Sequence, residues 1–273
     1  MAKVPNIKLP DGRSIPQIGL GLWKVKDKAE FDRSFDAGVE YGYRHFDSAQ
    51  IYQNEHFLGE AWRRHDLKRE DIFITTKIAV DHFGYKRAQA TIQPSLDKLQ
   101  TDYVDLLLLH FPVPVLRKKT WQVAEEALKA GQAKSIGVSN YTIRHLEEMK
   151  NYANIMPSVN QVELHVFLQQ PELVDYCREN KIQIEAYSPL AHAHEMTDKT
   201  ILAIAQKHGK SYAQVMLRWL IQQDFVVLPK SVTPKRVQEN IDIFDFELDK
   251  NDLDQIAKLD RDLRTCWSPV HVP

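Results

Sequence analysis

The amino-acid sequence predicts an α/β fold, a (β/α)8 TIM barrel that spans residues 1–273 as a single domain. Short apolar or β-branched runs alternate with longer segments of helical periodicity along the whole chain, which is typical of a parallel sheet covered by helices. Eight such units occur in 273 residues, and barrels of this class have about 250 residues. A closed barrel therefore fits the repeat number better than an open sheet.

The chain opens with a predicted β-hairpin. Asp11 and Gly12 lie between two short stretches with β-branched residues, 7–9 and 14–15, and an Asp-Gly pair in this setting is a strong signal for a tight turn. We expect the hairpin to cap the floor of the barrel.

Each of the eight barrel strands is predicted from a short apolar run. Because parallel strands are covered on both faces, such runs are apolar almost throughout. In chain order the predicted strands are residues 17–20, 43–46, 71–75, 104–109, 133–138, 158–162, 183–186 and 225–228.

Amphipathic segments separate the strands and predict the outer helices. Several of these segments end at Gly or Asn, which commonly terminate helices. Two helical segments lie between the last two strands and two more follow the eighth, so the sequence predicts two helices beyond the repeat. The predicted helices are residues 28–38, 54–64, 86–99, 120–130, 142–152, 171–180, 198–208, 211–222, 234–241 and 250–260.

Composition limits the classes of partner. The chain has 36 Lys and Arg residues against 37 Asp and Glu residues, so no net field attracts it to nucleic acid or to an anionic membrane. Neither a signal-peptide pattern nor a run long enough to cross a bilayer is present in the sequence. His192 and His194 suggest a metal pair, but without a third ligand a solvated turn is expected and no metal is predicted. We expect a cytoplasmic protein with a small-molecule partner.

Polar side chains follow the predicted strands at their carboxyl ends. Asp47, Lys77 and His110 follow the second, third and fourth strands, and the carboxyl ends of all barrel strands meet at one mouth, where barrel enzymes have their active sites. Each residue alone has an ordinary structural explanation, because charged groups prefer exposure. Their joint occurrence predicts a catalytic site. Later strands end in Ser139-Asn140, Asn160-Gln161, Tyr187-Ser188 and Lys230-Ser231.

These residue types suit proton donation to an oxygen. A tyrosine with a pKa of about 10 is a weak acid for neutral pH, and Tyr52 lies five residues beyond Asp47. At ~4 Å an ammonium would favour the phenolate by about 1 to 4 kcal/mol, so we expect Lys77 to lower the pKa of Tyr52. Asp47 would keep Lys77 charged, and His110 could orient a carbonyl oxygen.

The nucleophile in such a site is predicted to be a hydride, since no Ser or Cys with a paired base is evident. The GxGxxG fingerprint is missing, because Gly19-Leu20-Gly21 continues without a third glycine, so barrel loops must hold a nicotinamide cofactor. A phosphate could bind through basic residues near a helix start. The candidates are Ser139, Asn140 and Gln161 for the carboxamide, Tyr187 for the ring, and Lys230, Ser231 and Arg236 for a phosphate.

These segments resemble the aldo-keto reductase family over nearly the whole chain. The similarity lies in RHFDSAQIYQNE at 44–55, in residues 19–23, 75–77, 102–110, 136–140, 160–163, 186–190 and 229–234, and in Arg236, Glu239 and Asn240. The resemblance implies a catalytic tetrad of Asp47, Tyr52, Lys77 and His110, with Tyr52 as proton donor. It also implies a monomer, and a bacterial branch that includes 2,5-diketo-gluconate and methylglyoxal reductases.

The resemblance further implies NADP(H) as cofactor and a small carbonyl compound as substrate. The implied cofactor contacts are Ser139, Asn140, Gln161, Tyr187, Ser188, Leu190, Lys230, Ser231, Arg236, Glu239 and Asn240, with Lys230, Ser231 and Arg236 at the 2′-phosphate.

The substrate pocket departs from the family pattern. Phe111 and Ala79 stand where relatives commonly have tryptophan, which is expected to open or reshape the pocket. We expect Trp23, Tyr52, His110 and Phe111 to line it. The tail from Arg264 to Pro273 either closes over the substrate or packs along the barrel.

Two other functions are compatible with parts of this pattern. One is a Schiff-base lyase in which Lys77 attacks a carbonyl, although the basic cluster at residues 230–236 argues against it. The other is a non-enzymatic nucleotide-binding regulatory protein on the same fold, which the intact tetrad disfavours.

Overall fold

A computed structural model describes residues 4–193 and 197–273. Eight parallel strands lie side by side in chain order. The first and last of them are joined through the segment before β3, where Val227 N donates to Gln17 O and Gly19 N donates to Val227 O, both at 2.9 Å. The predicted barrel is confirmed. Its strands are β3 Leu20–Gly21, β4 His45–Asp47, β5 Phe73–Ile78, β6 Val104–Leu109, β7 Ala133–Ser139, β8 Val159–Glu163, β9 Gln183–Tyr187 and β10 Val226–Leu228.

The amino-terminal hairpin consists of β1 (Asn6–Lys8) and β2 (Ser14–Pro16), which pair antiparallel. Leu9 and Ile15 are buried in a small apolar cluster with strand residues on the inner face of the barrel, namely Phe73, Leu106, Leu108, Val159 and Val226. The hairpin therefore closes the end of the barrel opposite the mouth, as predicted. A larger apolar core lies between the strands and the outer helices.

The described residues form ten α-helices, so two exceed the eightfold repeat, as predicted. None of them is long and apolar enough to span a membrane. Their bounds are α1 Lys28–Tyr41, α2 Glu55–Arg64, α3 Tyr85–Leu99, α4 Arg117–Lys129, α5 Ile143–Met149, α6 Pro171–Glu179, α7 Lys199–His208, α8 Tyr212–Gln222, α9 Pro234–Ile241 and α10 Lys250–Ala257.

The carboxyl end of helix α1 differs from the sequence-based prediction of residues 28–38. Helix α1 does not end at Gly38 but at Gly42, which adopts the left-handed conformation (φ 100°) and donates to the last carbonyls of the helix. Gly38 serves packing instead, because a Cβ there would lie 3.1 Å from the side chain of Leu20. Likewise, a Cβ at Gly19 would lie 2.7 Å from the ring of His45. Gly19 therefore allows close packing inside the barrel.

Candidate active site

Asp47 and Lys77 form an ion pair inside the barrel mouth. Lys77 lies near the end of β5 and has no exposed surface, and its Nζ donates to both carboxylate oxygens of Asp47 at 2.7 Å. The same ammonium donates to Ser48 O at 2.9 Å and to the hydroxyl oxygen of Tyr52 at 3.3 Å. A buried ammonium needs such acceptors for its protons. The structure thus brings together three of the four predicted catalytic residues.

The loop after β4 holds Tyr52 in this position. A single 3-10 turn, Gln50–Tyr52, carries the tyrosine, and the buried amide of Asn54 anchors the segment by donating to Leu22 O and Val25 O at 2.9 and 3.0 Å. Ser48 donates to Asn54 Oδ1 at 2.8 Å. Because Lys77 donates to the Tyr52 oxygen, the phenol's own proton is left for another acceptor.

The pKa of Tyr52 shifts in the direction opposite to the one expected from the sequence. Burial, followed by the negative charge of Asp47, raises the pKa of Tyr52 well above 10. The expectation considered only Lys77, whereas the phenolate would also lose water and face a carboxylate. The phenol therefore stays protonated at neutral pH and keeps a proton to donate.

His110 completes the predicted group of four. Its ring stands edge-on to that of Tyr52, with the centroids 5.7 Å apart. Burial, and then the charge of Lys77, lowers the pKa of His110 to about 3. The imidazole is consequently neutral at physiological pH and can donate a hydrogen bond to a ligand without carrying charge.

We expect no titration of His110 in the activity profile. Because the pKa of His110 lies below the unperturbed 6.5, its neutral form persists as the pH falls. Protonation of His110 should therefore not lower kcat/KM for reduction between pH 8 and 5.5. An unperturbed imidazole would be only about one-tenth neutral at pH 5.5. The measurement is the pH profile of the wild type beside that of His110→Gln. A tenfold acid loss present in the wild type and absent from the variant would contradict a neutral His110.

The predicted carboxamide residues also meet at the mouth. Tyr187 donates from its hydroxyl to Asn140 Oδ1 at 2.7 Å, and Asn140 Nδ2 donates to Ser139 Oγ at 3.0 Å. Gln161 donates to Asp47 Oδ1 at 2.9 Å, which ties this cluster to the ion pair. Asn140 has a left-handed backbone (φ 65°). Tyr187 is thus bonded to Asn140 within a group of amide and hydroxyl side chains that reaches the ion pair beside Tyr52.

The remaining cofactor candidates lie after β9 and β10. Ser188 and Leu190 follow β9 directly, and the loop there continues to residue 193. Lys230 and Arg236 are exposed on either side of the start of α9, while Ser231 is buried and accepts a hydrogen bond from Thr233 N at 3.1 Å. Farther along α9, Glu239 is half-buried and Asn240 is buried.

The loop with the candidate histidine pair contacts the carboxyl-terminal tail. His192 Nε2 lies 3.1 Å from Ser188 Oγ and 3.2 Å from Cys266 Sγ, and its ring stands edge-on to Trp23. His194 lies outside the described residues. Within residues 4–193 and 197–273, no group of three His, Cys, Asp or Glu side chains is arranged to hold a metal ion.

The tail borders the mouth. Glu163, at the end of β8, accepts hydrogen bonds from Thr265 N at 2.7 Å and from Cys266 N at 3.1 Å. These two bonds clamp the tail to β8. After them, the Trp267 ring stands edge-on to Phe111, with the ring centroids 6.5 Å apart.

The tail has both of the expected placements. Thr265 to Trp267 border the mouth, where Trp267 is 74% exposed. The last residues instead pack along the outer helices, since Arg117 Nη1 donates to Pro273 O at 2.6 Å and His145 Nε2 lies 2.9 Å from Val272 O.

Three polar residues of this site were missed by the sequence reasoning. They are His45, Glu163 and Glu185, all buried. Glu163 lies at the end of β8, where only Asn160 and Gln161 were considered, whereas His45 and Glu185 lie inside the predicted strands 43–46 and 183–186, whose inner side chains were not considered. The available signal was a charged residue in the middle of an otherwise apolar strand, because a charge there must face the barrel interior and have partners.

Comparison with known proteins identifies the family. The model of the Aldo/keto reductase family matches residues 17–261. The chain belongs to the aldo-keto reductases. Glyoxal reductase of Bacillus subtilis is 43% identical over 97% of this chain and 96% of its own length. Methylglyoxal reductase DkgA of Escherichia coli K12 is 42% identical, with the same shares covered.

A solved aldo-keto reductase of Bombyx mori, in complex with NADP, superposes with a TM-score of 0.91 at 32% identity, covering 97% of this chain and 95% of its own. The predicted family and branch are therefore confirmed, and this aldo-keto reductase is an oxidoreductase.

Proposed function

We propose that this aldo-keto reductase converts small α-dicarbonyl compounds to hydroxy-carbonyl products, with Tyr52 as the general acid. Carbonyl reduction is the activity of the family to which the chain belongs, and the α-dicarbonyl class rests on the relatives named for glyoxal and methylglyoxal. The observation that carries the role of Tyr52 is the Lys77 ammonium donating to its oxygen. A cytoplasmic location, a monomeric state and a single domain stay predictions.

NADP(H) is the cofactor, and the residues at the mouth fit it. Among the described residues, neither Lys230 nor Arg236 has an ion-pair partner, and they lie on either side of the start of α9, whose free N–H groups favour an anion. We assign this pair to the 2′-phosphate, Ser139, Asn140 and Gln161 to the carboxamide, and Tyr187 to the ring. We assign Ser188 and Leu190 to the pyrophosphate, and Glu239 and Asn240 to the adenine. When bound, NADPH supplies the hydride.

The side chains perform the proton transfer. His110, neutral and beside the phenol, orients the carbonyl oxygen and stabilises its developing charge. Tyr52 then passes its proton to that oxygen. The phenolate that forms is stabilised by the Lys77 ammonium already donating to it, and Asp47 holds this ammonium in place. The raised pKa of Tyr52 preserves the acid form until the more basic alkoxide develops.

The same contacts disfavour a Schiff-base role for Lys77. A nucleophilic lysine must be neutral and accessible. Lys77 has no exposed surface, and its Nζ contacts Asp47, Ser48 O and Tyr52. A turnover assay with NADPH distinguishes a reductase from a regulatory protein that has no catalytic activity.

We expect the purified protein to oxidise NADPH in the presence of methylglyoxal, and Arg236→Leu to weaken NADPH binding while NADH binding stays unchanged. Loss of a charge-assisted hydrogen bond of about 1.5–3 kcal/mol corresponds to roughly a 10- to 100-fold higher Kd. The measurements are loss of nicotinamide absorbance and cofactor titration.

Lys235→Leu is the matched control, because Lys235 is a neighbouring exposed cation on α9 that is not assigned to the phosphate. It should leave both affinities near the wild-type values. Absence of turnover with every aldehyde and ketone in a panel would overturn the reductase proposal.

A further inference from the structure

Glu185 is a buried acidic residue that the proposed mechanism does not use. It lies in the middle of β9, opposite Gln161 of β8 in the parallel register. Its side chain has no exposed surface and points into the barrel, where Oε2 accepts a hydrogen bond from Gln161 Nε2 at 2.7 Å. Burial of a carboxyl group costs free energy, so we expect Glu185 to have a function beneath the mouth.

The amide of Gln161 is bound at its nitrogen from two sides. Nε2 donates to Asp47 Oδ1 at 2.9 Å and to Glu185 Oε2 at 2.7 Å, and a primary amide has two protons to donate. With the amide rotated by half a turn, its oxygen would face both acidic side chains and oppose the Asp47 carboxylate. The nitrogen is therefore held at this end, and within residues 4–193 and 197–273 the oxygen Oε1 has no hydrogen-bond partner.

Asp47 is one of two anchors for this orientation. Its Oδ1 also accepts from Lys77 at 2.7 Å, so Gln161 shares this acceptor with the ammonium. Glu185 supplies the second anchor. We infer that Glu185 is a positioning residue that orients Gln161, so that the Gln161 carbonyl oxygen accepts from the carboxamide N–H of the bound nicotinamide. This inference rests on the proposed function.

The arrangement tolerates either protonation state of Glu185. Burial, and then the charge of Asp47, raises its pKa to about 8, and Lys77, His45 and Tyr52 are further titratable groups around it. Oε1 lies 3.6 Å from His45 Nε2 and has no hydrogen-bond partner among the described residues, so it can carry the proton. Oε2 remains an acceptor for Gln161 in both states.

Two variants of similar size separate positioning from packing. Glu185→Gln keeps an oxygen that can accept from Gln161, whereas Glu185→Met keeps the volume and removes the acceptor. The probes are NADP⁺ and its 3-acetylpyridine analogue, in which a methyl ketone replaces the carboxamide and no N–H is available. Dissociation constants are measured by tryptophan fluorescence or calorimetry, without turnover.

We expect the wild type and Glu185→Gln to bind NADP⁺ roughly 5- to 10-fold more tightly than the analogue, which corresponds to one neutral hydrogen bond of about 1 kcal/mol. In Glu185→Met this preference should fall to about twofold or less. An unchanged preference in Glu185→Met, or no preference in the wild type, would overturn the inference.

A fragment without nicotinamide controls for the fold. The compound 2′-phospho-ADP-ribose should bind the wild type and Glu185→Met equally, and weaker binding by the variant would assign Glu185 a general structural role and refute positioning. Failure of the wild type to bind NADP⁺ at all would instead refute the proposed cofactor site. The two failures are thus distinguishable.

Discussion

Tyr52→Phe is expected to lower kcat for carbonyl reduction by roughly 10²- to 10⁴-fold, the usual contribution of a general acid, while the Kd of NADPH changes by no more than about twofold. The substitution removes the proton that the alkoxide must receive. It keeps the ring that packs edge-on against His110, and Lys77 retains Asp47 and Ser48 as acceptors. Steady-state turnover and cofactor titration on the same preparation provide the measurement.

Tyr85→Phe provides a matched control. The Tyr85 hydroxyl is bonded to Glu126 at 2.9 Å on the outside of the barrel, so its removal should leave kcat unchanged. Equal turnover by the wild type and Tyr52→Phe would show that the proton comes from another group. A comparable loss in both tyrosine variants would point to general damage and contradict a specific role for Tyr52.

Lys77→Met is expected to lower the free energy of unfolding by about 3–5 kcal/mol, the usual cost of breaking a buried ion pair. The reason is that the Asp47 carboxylate, which is 4% exposed, would lose the ammonium that donates to both its oxygens. The double variant Asp47→Asn/Lys77→Met removes both charges and should be less destabilised than Lys77→Met alone. Urea unfolding provides the measurement.

An exposed pair of similar length is the control for this prediction. Lys250 lies 2.8 Å from Asp254, and its side chain is 89% exposed, so Lys250→Met should cost less than about 1 kcal/mol. Equal free energies of unfolding for Lys77→Met and Lys250→Met would show that burial does not make the loss of the Lys77 charge more costly. The electrostatic account of the site would then be wrong.

The barrel could be predicted from the sequence because its signals are local. Strand β6 is predicted with its observed bounds, Val104–Leu109, since four consecutive leucines and the flanking residues determine it without reference to the rest of the chain. The meeting of Asp47 and Lys77 follows from the same logic, because parallel strands place their carboxyl ends together. Helix ends were less predictable. The end of α1 at Gly42 rather than Gly38 depends on which glycine packs against Leu20.

The direction of the Tyr52 pKa was not accessible from the sequence. A neighbouring ammonium is visible in a sequence pattern, but the loss of water around a phenol depends on everything that surrounds it. The clamp between Glu163 and Thr265 was also not accessible from the sequence, because the two residues lie 102 positions apart along the chain. The same is true of Glu185, whose contact with Gln161 depends on the register of two strands. Local periodicity specified the barrel and the residues at its mouth. The protonation and orientation of these residues depend on desolvation and on contacts between distant segments, which arise only when the barrel closes.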